Sequence, residues 1–201
     1  FVYGDALYFS SPEIINTRLR TYNIFDPFNP TQTHFPMTGD DIQEFAVNGN
    51  YLYAYDNYFV SILAYNITNP FQPSWDGTTV EIDDYDEIHE MCAADGYLYL
   101  AHDYGVLTYS LENPKTPEMV DDDIIFSIDL YTKMSINSKY LFIHGDTDTL
   151  MPAIFSLNDK SNPEYIQSMS FPYFYSYDIE TNDQWLCFST QYYGPRIYGL
   201  K

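Results

Sequence analysis

The chain alternates between short apolar, aromatic-rich segments and polar turns, and the alternation repeats with a period of about 45 residues. A strand-like core that follows a turn reads GDALYF, GNYLYAYD, DGYLYLAHD, SKYLFIHGD and DQWLCFST in successive copies. The central leucines of this core are Leu7, Leu52, Leu98, Leu141 and Leu186, spaced 45, 46, 43 and 45 residues apart. Self-similarity at a fixed period of this length is typical of repeat folds. The pattern therefore predicts five copies of one structural unit.

A second strand follows each core and ends at a polar turn. Its aromatic anchors are Tyr22, Tyr65, Tyr109, Phe155 and Tyr198, again 43 to 46 residues apart. Three copies place a proline five residues after the anchor, whereas the fourth delays its proline to Pro163 by inserting three residues. Proline has no N–H to donate to a neighbouring strand, so it ends the strand. Two further β-rich segments precede the next core, which predicts four strands per unit.

The inner strands are apolar on both sides, as in YLYAY and YLYLA. This pattern fits the blades of a β-propeller, because each blade is covered on both faces by its neighbours. A helical solenoid would need a period of about 3.6 residues, which these segments lack. We therefore predict an all-β fold, a β-propeller of four-stranded antiparallel blades, whose first and last copies are incomplete. The predicted blades are residues 1–40, 41–84, 85–125, 126–172 and 173–201 of a single domain, and the strand-like ends favour a fragment of a longer chain.

The repeated residues also resemble a known family. The pattern V-x-G-x-Y-L-Y-x-A, followed by a strand ending in (D/N)-x-x-NP-x-x-P, resembles the bacterial and archaeal LVIVD repeat. The clearest copies run from Val47 to Pro73 and from Ala93 to Pro117. The resemblance implies a propeller in a cell-surface or secreted protein and is nearly silent about activity. The usual acidic residue of the family's second strand is replaced here by Asn23, Asn66, Ser110 and Ser156.

Composition narrows the range of partners. Asp and Glu number 29 against 8 Lys and Arg, a net charge of −21. Such a field repels nucleic acids and anionic membrane surfaces, so we expect neither as a partner. The longest uncharged stretch, residues 57–75, is interrupted by prolines and amides that a membrane-spanning helix would not place at its centre. Cys92 and Cys187 fall in non-neighbouring units, so we expect two buried thiols without a disulfide.

The connections of a four-stranded blade emerge at two ends. If the strands are named A to D from the centre outward, the B-to-C and D-to-A connections emerge at one end, here called the loop face. The acidic residues predicted on the loop face are Glu13, Asp40, Asp41, Asp56, Asp83, Asp84, Asp86, Glu87, Asp103, Asp121, Asp122, Asp123, Asp146 and Asp148. The tyrosines predicted there are Tyr58, Tyr85, Tyr104, Tyr173, Tyr192 and Tyr193. Tyrosine suits contact with a protein or a sugar ring, unless these rings pack the loops onto the blades.

We expect a binding surface on this face. Its predicted residues are Asp41, Asp84, Asp86, Glu90, Asp103, Tyr104, Asp122, Tyr173 and Tyr192. Glu90 follows His89 at the start of an innermost strand, near the mouth of the central channel. The simpler interpretation of this pair is a polar strand end that faces solvent.

Metal sites are weakly indicated. Asp146 and Asp148 offer oxygen ligands for calcium, but no acidic run completes the spacing of an EF-hand loop, which favours solvated turns. The four histidines, His34, His89, His102 and His144, occupy non-equivalent repeat positions without zinc-ligand spacing. No cofactor is predicted.

The sequence contains no nucleophile elbow, phosphate-binding glycine loop or kinase motif. The leading hypothesis is therefore a non-enzymatic, extracellular or cell-surface module that binds a protein or a glycan. One alternative is a carbohydrate-active enzyme, a glycoside hydrolase or lyase, with paired carboxylates at the channel mouth. The candidate carboxylates are those of Asp41, Glu44, Glu90 and Asp178. A further alternative is a structural propeller segment of a larger surface assembly, completed by the remainder of its own chain.

Overall fold

The computed structural model describes residues 2–12, 17–33, 41–82, 87–102, 104–125, 132–144, 152–169, 176–190 and 194–200. Within these ranges the chain forms nineteen β-strands in five antiparallel sheets. The same ranges contain no helix that is long and apolar enough to cross a membrane. The predicted all-β class is confirmed.

Each sheet is a blade built from consecutive strands. Blade 1 contains β1 (Val2–Tyr3), β2 (Ala6–Pro12), β3 (Thr17–Asn23) and β4 (Thr31–Thr33). Blade 2 contains β5 (Ile42–Asn48), β6 (Tyr51–Asp56), β7 (Ser61–Asn66) and β8 (Ser74–Glu81). Blade 3 contains β9 (Ile88–Ala94), β10 (Tyr97–His102), β11 (Gly105–Ser110) and β12 (Glu118–Ile125). Blade 4 contains β13 (Lys133–Ile136), β14 (Tyr140–His144), β15 (Ala153–Ser156) and β16 (Glu164–Ser168). The described part of blade 5 contains β17 (Ser176–Thr181), β18 (Trp185–Thr190) and β19 (Arg196–Gly199).

The strands belong to two compact units. Unit 1 comprises Phe1–Tyr85 and Asn113–Pro117, and unit 2 comprises Asp86–Glu112 and Glu118–Lys201. Unit 1 therefore holds blades 1 and 2 together with the C-to-D turn of blade 3. In unit 2 the first strands of successive blades lie side by side, β9 against β13 and β13 against β17. These first strands are the innermost strands of their blades, as predicted.

Neighbouring blades within a unit pack through apolar side chains. In unit 1, Ala6 and Tyr8 of blade 1 pack against Leu52, Ala54 and Tyr65 of blade 2. Equivalent clusters in unit 2 join blade 3 to blade 4 and blade 4 to blade 5. Because burying one large apolar side chain contributes about 1.5–3 kcal/mol, these clusters are the main source of stability.

A tyrosine hydroxyl ties successive blades together at the C-to-D turn. The hydroxyl of Tyr8 donates to the carbonyl of Pro70 at 2.8 Å, that of Tyr53 to Pro114 at 3.0 Å, and that of Tyr99 to Lys160 at 2.9 Å. Each tyrosine directly follows the repeat leucine of its blade. Burial raises the pKa of all three hydroxyls, that of Tyr8 to about 12, so they stay protonated and able to donate. We call these bonds the interblade clasps.

The C-to-D turn of blade 4 differs from the sequence prediction in one detail. The same backbone hydrogen bond, between residues three apart, closes this turn in blades 1 to 4. The clasp at blade 4 ends on the carbonyl of Lys160, which takes the position that Pro70 has in blade 2 and Pro114 has in blade 3. The predicted three-residue insertion is therefore wrong: Lys160 replaces the first proline, and Pro163 matches the second.

Asn23, Asn66, Ser110 and Ser156, at equivalent positions of blades 1 to 4, have a structural role. Their side-chain oxygens each accept a hydrogen bond from the backbone N–H two residues later, at 2.8–3.2 Å. Asparagine and serine side chains commonly close turns in this way. The start of the C-to-D turn is therefore held by an uncharged acceptor in all four blades.

The two cysteines differ in part from expectation. Both are free, and they lie in blades 3 and 5. Each is half-buried, so the prediction of full burial is wrong. Cys92 packs at the edge of the cluster between blades 3 and 4, where the rim of that cluster leaves it partly uncovered.

The substitution Tyr53→Phe tests the clasps. It removes the hydroxyl that bonds the Pro114 carbonyl and keeps the packed ring, so the free energy of unfolding should fall by about 1–2 kcal/mol. Tyr58→Phe, which alters an exposed tyrosine of the same unit, is the matched control and should change it little. Equal stabilities of the two variants in urea titrations would mean that the clasp contributes nothing.

Candidate functional site

The B-to-C turn of blade 2, residues 57–60, is the best defined part of the loop face. Asp56 ends β6 and is fully buried. Its Oδ1 atom accepts hydrogen bonds from the backbone N–H groups of Tyr58 at 3.0 Å and Phe59 at 3.3 Å. The sequence prediction placed Asp56 among the surface acids. This is wrong, because the tight turn needs an acceptor for N–H groups that have no strand partner.

Two further features fix this turn. The carbonyl of Asp41 accepts the Asn57 N–H at 2.9 Å, and the Asp41 carboxylate accepts a bond from the Gln43 amide at 3.2 Å. Val60 closes the turn with a φ of 47°, a left-handed conformation that β-branched residues rarely adopt. Its carbonyl accepts the Ile82 N–H at 2.9 Å, so the strained residue is anchored. The turn therefore has a rigid backbone.

This rigid turn presents two aromatic side chains to solvent. Tyr58 is 71% exposed and Phe59 is 55% exposed. Their ring centroids lie 4.9 Å apart at an interplanar angle of 87°, an edge-to-face arrangement. Tyr58 therefore does not pack its loop onto the blade, which was the alternative left open by the sequence.

Blade 3 repeats the feature in unit 2. Tyr104, on the B-to-C turn of that blade, is 65% exposed, and its ring lies 6.3 Å from the His102 ring between centroids, at an interplanar angle of 66°. Tyr58 and Tyr104 both stand six residues after the repeat leucine, and so does Tyr192 in the sequence of blade 5. Tyr192 itself lies outside the described residues. The same side chain thus recurs at one position of the repeat.

The innermost strands carry a second set of candidate residues. In blades 2, 3 and 5 the pairing with the next strand shifts by one residue, a β-bulge, at Gln43, His89 and Tyr177. The residue after each bulge is an acid, namely Glu44, Glu90 and Asp178. Blade 4 has Lys133 at the equivalent place, since all four residues stand eight positions before the repeat leucine. A β-bulge re-aims the side chain beside it and is common next to functional sites.

In unit 2 two of these charges meet. The Lys133 Nζ atom lies 2.6 Å from the Glu90 Oε2 atom, and their side chains are 36% and 17% exposed. Burial raises the pKa of Glu90, Lys133 opposes the shift, and the charge of Asp178 adds to it. The interpretation of Glu90 as a solvent-facing strand end is therefore wrong. The adjacent blade supplies a cation that the sequence alone does not place there.

The remaining predicted residues divide into two groups. Asp122 is exposed, but it lies inside β12 and not in a loop, and Asp121 beside it is buried. Both were misplaced because the outermost strand of blade 3 continues through the acidic run to Ile125. Those outside the described residues are Asp84, Asp86, Asp103, Tyr173 and Tyr192, together with the calcium candidates Asp146 and Asp148. Among the described residues, no group of three His, Cys, Asp or Glu side chains is placed to hold a metal ion.

The sequence prediction did not single out two residues of the site. Phe59 was passed over because it reads as one more aromatic in a chain where aromatics make up 19% of residues. Lys133 was passed over because only the acids of the inner strands were considered. Counting backwards from the repeat leucine would have aligned Lys133 with Glu90 and Asp178.

No protein-family model and no curated protein matches this sequence. Among solved structures, the chain is similar to a candidate 6-phosphogluconolactonase from Bacteroides uniformis, with 13% identity, a TM-score of 0.73, and coverage of 100% of this chain and 65% of that one. It is also similar to the periplasmic gluconolactonase PpgL of Pseudomonas aeruginosa, with 11% identity, a TM-score of 0.69, and coverage of 98% and 66%.

A third similar structure is PorZ, an essential surface component of the type-IX secretion system of Porphyromonas gingivalis, with 11% identity and a TM-score of 0.62. The match covers 100% of this chain and 24% of PorZ. The chain thus spans less than two thirds of each of these three proteins. At these identities the likeness establishes the fold alone, and the fold of this chain is a β-propeller.

The raised pKa of Glu90 predicts a pH-dependent stability. A carboxyl whose pKa is raised on folding adds stability below its unfolded pKa and loses that contribution as the pH rises through the folded value. Glutamine does not titrate. The Tm of Glu90→Gln relative to the unsubstituted protein should therefore increase between about pH 4 and pH 8.

The matched control for this measurement is Glu164→Gln, at an exposed position of β16. Its Tm difference from the unsubstituted protein should change less across the same range. A Glu90→Gln difference that is flat or decreases with pH would contradict the assignment of a raised pKa.

Proposed function

We propose that this chain is a non-enzymatic, extracellular or cell-surface propeller module that binds a protein or a glycan through its loop face. The observation that carries the proposal is the pair of exposed tyrosines, Tyr58 and Tyr104, at the same position of two blades. Large aromatic side chains are usually buried, and packing of the fold does not require these two. An aromatic ring with a hydroxyl offers both apolar contact and hydrogen bonding to a partner.

The backbone of the blade 2 turn supports a role in recognition. Hydrogen bonds to Asp41 and Asp56 already order the turn in the free protein. A preordered contact loses less conformational entropy on binding than a flexible loop does. The strained backbone of Val60 also supports a role in recognition, because unfavourable backbone conformations are concentrated at functional sites.

The surface location rests on two supports. The residues resemble the LVIVD repeat, and we propose that the chain is a propeller of that type. Two of the similar structures are named as a periplasmic protein and a surface component.

The double substitution Tyr58→Ala, Tyr104→Ala tests this function. The unsubstituted protein is screened against a random peptide display library and a glycan array, and its ligands are then offered to the variant. Binding of ligands that contact either turn should fall by about tenfold or more, because each turn loses an exposed aromatic side chain.

The matched control is Phe25→Ala, Phe28→Ala, which removes two exposed aromatic side chains from the C-to-D turn of blade 1. This variant should bind as the unsubstituted protein does. Ligands that both variants retain, or that both lose equally, would show that the B-to-C turns are not the binding surface.

A second candidate function is hydrolysis of a sugar or sugar lactone at the innermost strands of unit 2. The observation that favours it is the half-buried Glu90 beside Lys133, with a raised pKa and the charge of Asp178 nearby. A partly buried carboxyl with a raised pKa suits general acid–base catalysis. One similar structure is named as a candidate 6-phosphogluconolactonase and another as a gluconolactonase, which supports testing lactones as well as glycosides.

Hydrolysis assays on a panel of sugar lactones and oligosaccharides decide this candidate. Any turnover should fall by about a hundredfold or more in Glu90→Gln, since a general acid–base group contributes that much. Glu164→Gln, at an exposed strand position, is the control and should keep full activity. If the unsubstituted protein turns over none of these substrates, the enzyme hypothesis is rejected.

A further inference from the structure

We infer that the B-to-C turn of blade 2 binds a positively charged, extended segment of a partner protein, with lysine or arginine side chains held against Tyr58 and Phe59. The inference rests on the proposed binding function and specifies the chemistry of the ligand. It adds a requirement for positive charge that a glycan would not meet.

The geometry of the aromatic pair favours a cation. In an edge-to-face pair, one ring presents its edge to one face of the other, so the pair itself leaves three of the four ring faces unused. Both rings are more than half exposed, so these faces are accessible to a ligand. The face of an aromatic ring is the negative pole of its quadrupole, and ammonium and guanidinium groups bind there.

The electrostatic surroundings favour the same ligand. The chain carries 29 acidic against 8 basic residues, so the potential around it is strongly negative. Two carboxylates are hydrogen-bonded to the turn: that of Asp56 accepts the backbone N–H groups of Tyr58 and Phe59, and that of Asp41 accepts the side-chain amide of Asn57 at 3.4 Å. A cation that approaches the rings is attracted by these charges, whereas an anionic ligand is repelled. A neutral sugar gains nothing from them.

Rigidity makes the turn a selective site. The Asp56 carboxylate fixes the N–H groups of Tyr58 and Phe59, and the bond from Asn57 to Asp41 fixes the start of the turn. The backbone positions of the two aromatic residues are therefore held in the free protein, where the rings lie edge to face. An ordered aromatic pair binds a cation at a defined place, whereas the net charge of an acidic protein attracts any polycation without a defined position.

The test measures binding of a short, fluorescein-labelled peptide of alternating lysine and serine by fluorescence anisotropy. A peptide in which glutamine replaces lysine is the neutral probe. We expect the lysine peptide to bind and the neutral peptide not to bind. Affinity should fall between about 0.05 M and 0.5 M salt, because screening weakens the charge attraction.

Substitutions then distinguish the contribution of the aromatic rings to binding from that of the net charge. Tyr58→Ala, Phe59→Ala leaves the charge of the protein unchanged and should weaken binding of the lysine peptide by about tenfold. Phe25→Ala, Phe28→Ala removes the same number of exposed aromatic side chains elsewhere in unit 1 and should leave affinity unchanged. Tyr58→Leu, Phe59→Leu keeps apolar area without a ring and should weaken binding as alanine does.

Three results would overturn the inference. Equal binding by the unsubstituted protein and the Tyr58→Ala, Phe59→Ala variant would show attraction by net charge alone. Full affinity with leucine would show a requirement for apolar area and not for aromatic rings. Failure to bind the lysine peptide, together with glycan binding that is lost in the alanine variant, would reject the cationic ligand and keep the proposed binding function.

Discussion

A four-stranded sheet that is apolar on both faces is stable in water only when other sheets cover it on both sides. The blades of this chain are such sheets, because residues on either side of β6 and β10 are equally buried. Within unit 1 the cover comes from the next blade, where Ala6 and Tyr8 meet Leu52 and Tyr65. The repetition of the sequence is the consequence, since each copy must offer a face that fits the copy beside it.

Because each blade must pack against its neighbour, the turns at its two ends are under different structural constraints. The C-to-D turns lie where the interblade clasps form, so their length and backbone course are constrained, and blade 4 keeps both after losing a proline at Lys160. The B-to-C turns carry no clasp among the described residues and are free to differ between blades. It is there that Tyr58 and Tyr104 are exposed. Recognition on a rigid scaffold usually develops in connections of this kind.

The acids of the chain likewise serve different purposes in different places. Asp56 is buried and holds a turn, whereas Glu90 is half-buried against Lys133. Asp122 is exposed on the outermost strand β12, and charges at such positions generally disfavour pairing of strand edges between molecules. A net charge of −21 is thus the sum of structural, paired and solvated carboxylates, and only the structure assigns each residue to its class.

The sequence by itself determined the all-β class, the number of repeats, the innermost strands and the position of the turns, because these depend on local periodicity and on residues such as glycine and proline. It also singled out Tyr104 and Glu90 as candidate site residues. Only the tertiary structure decided that Lys133 pairs with Glu90, that Asp56 is buried and that Tyr58 is exposed. Those facts depend on contacts between segments distant in sequence, and burial and pairing energies arise only when such segments meet in space.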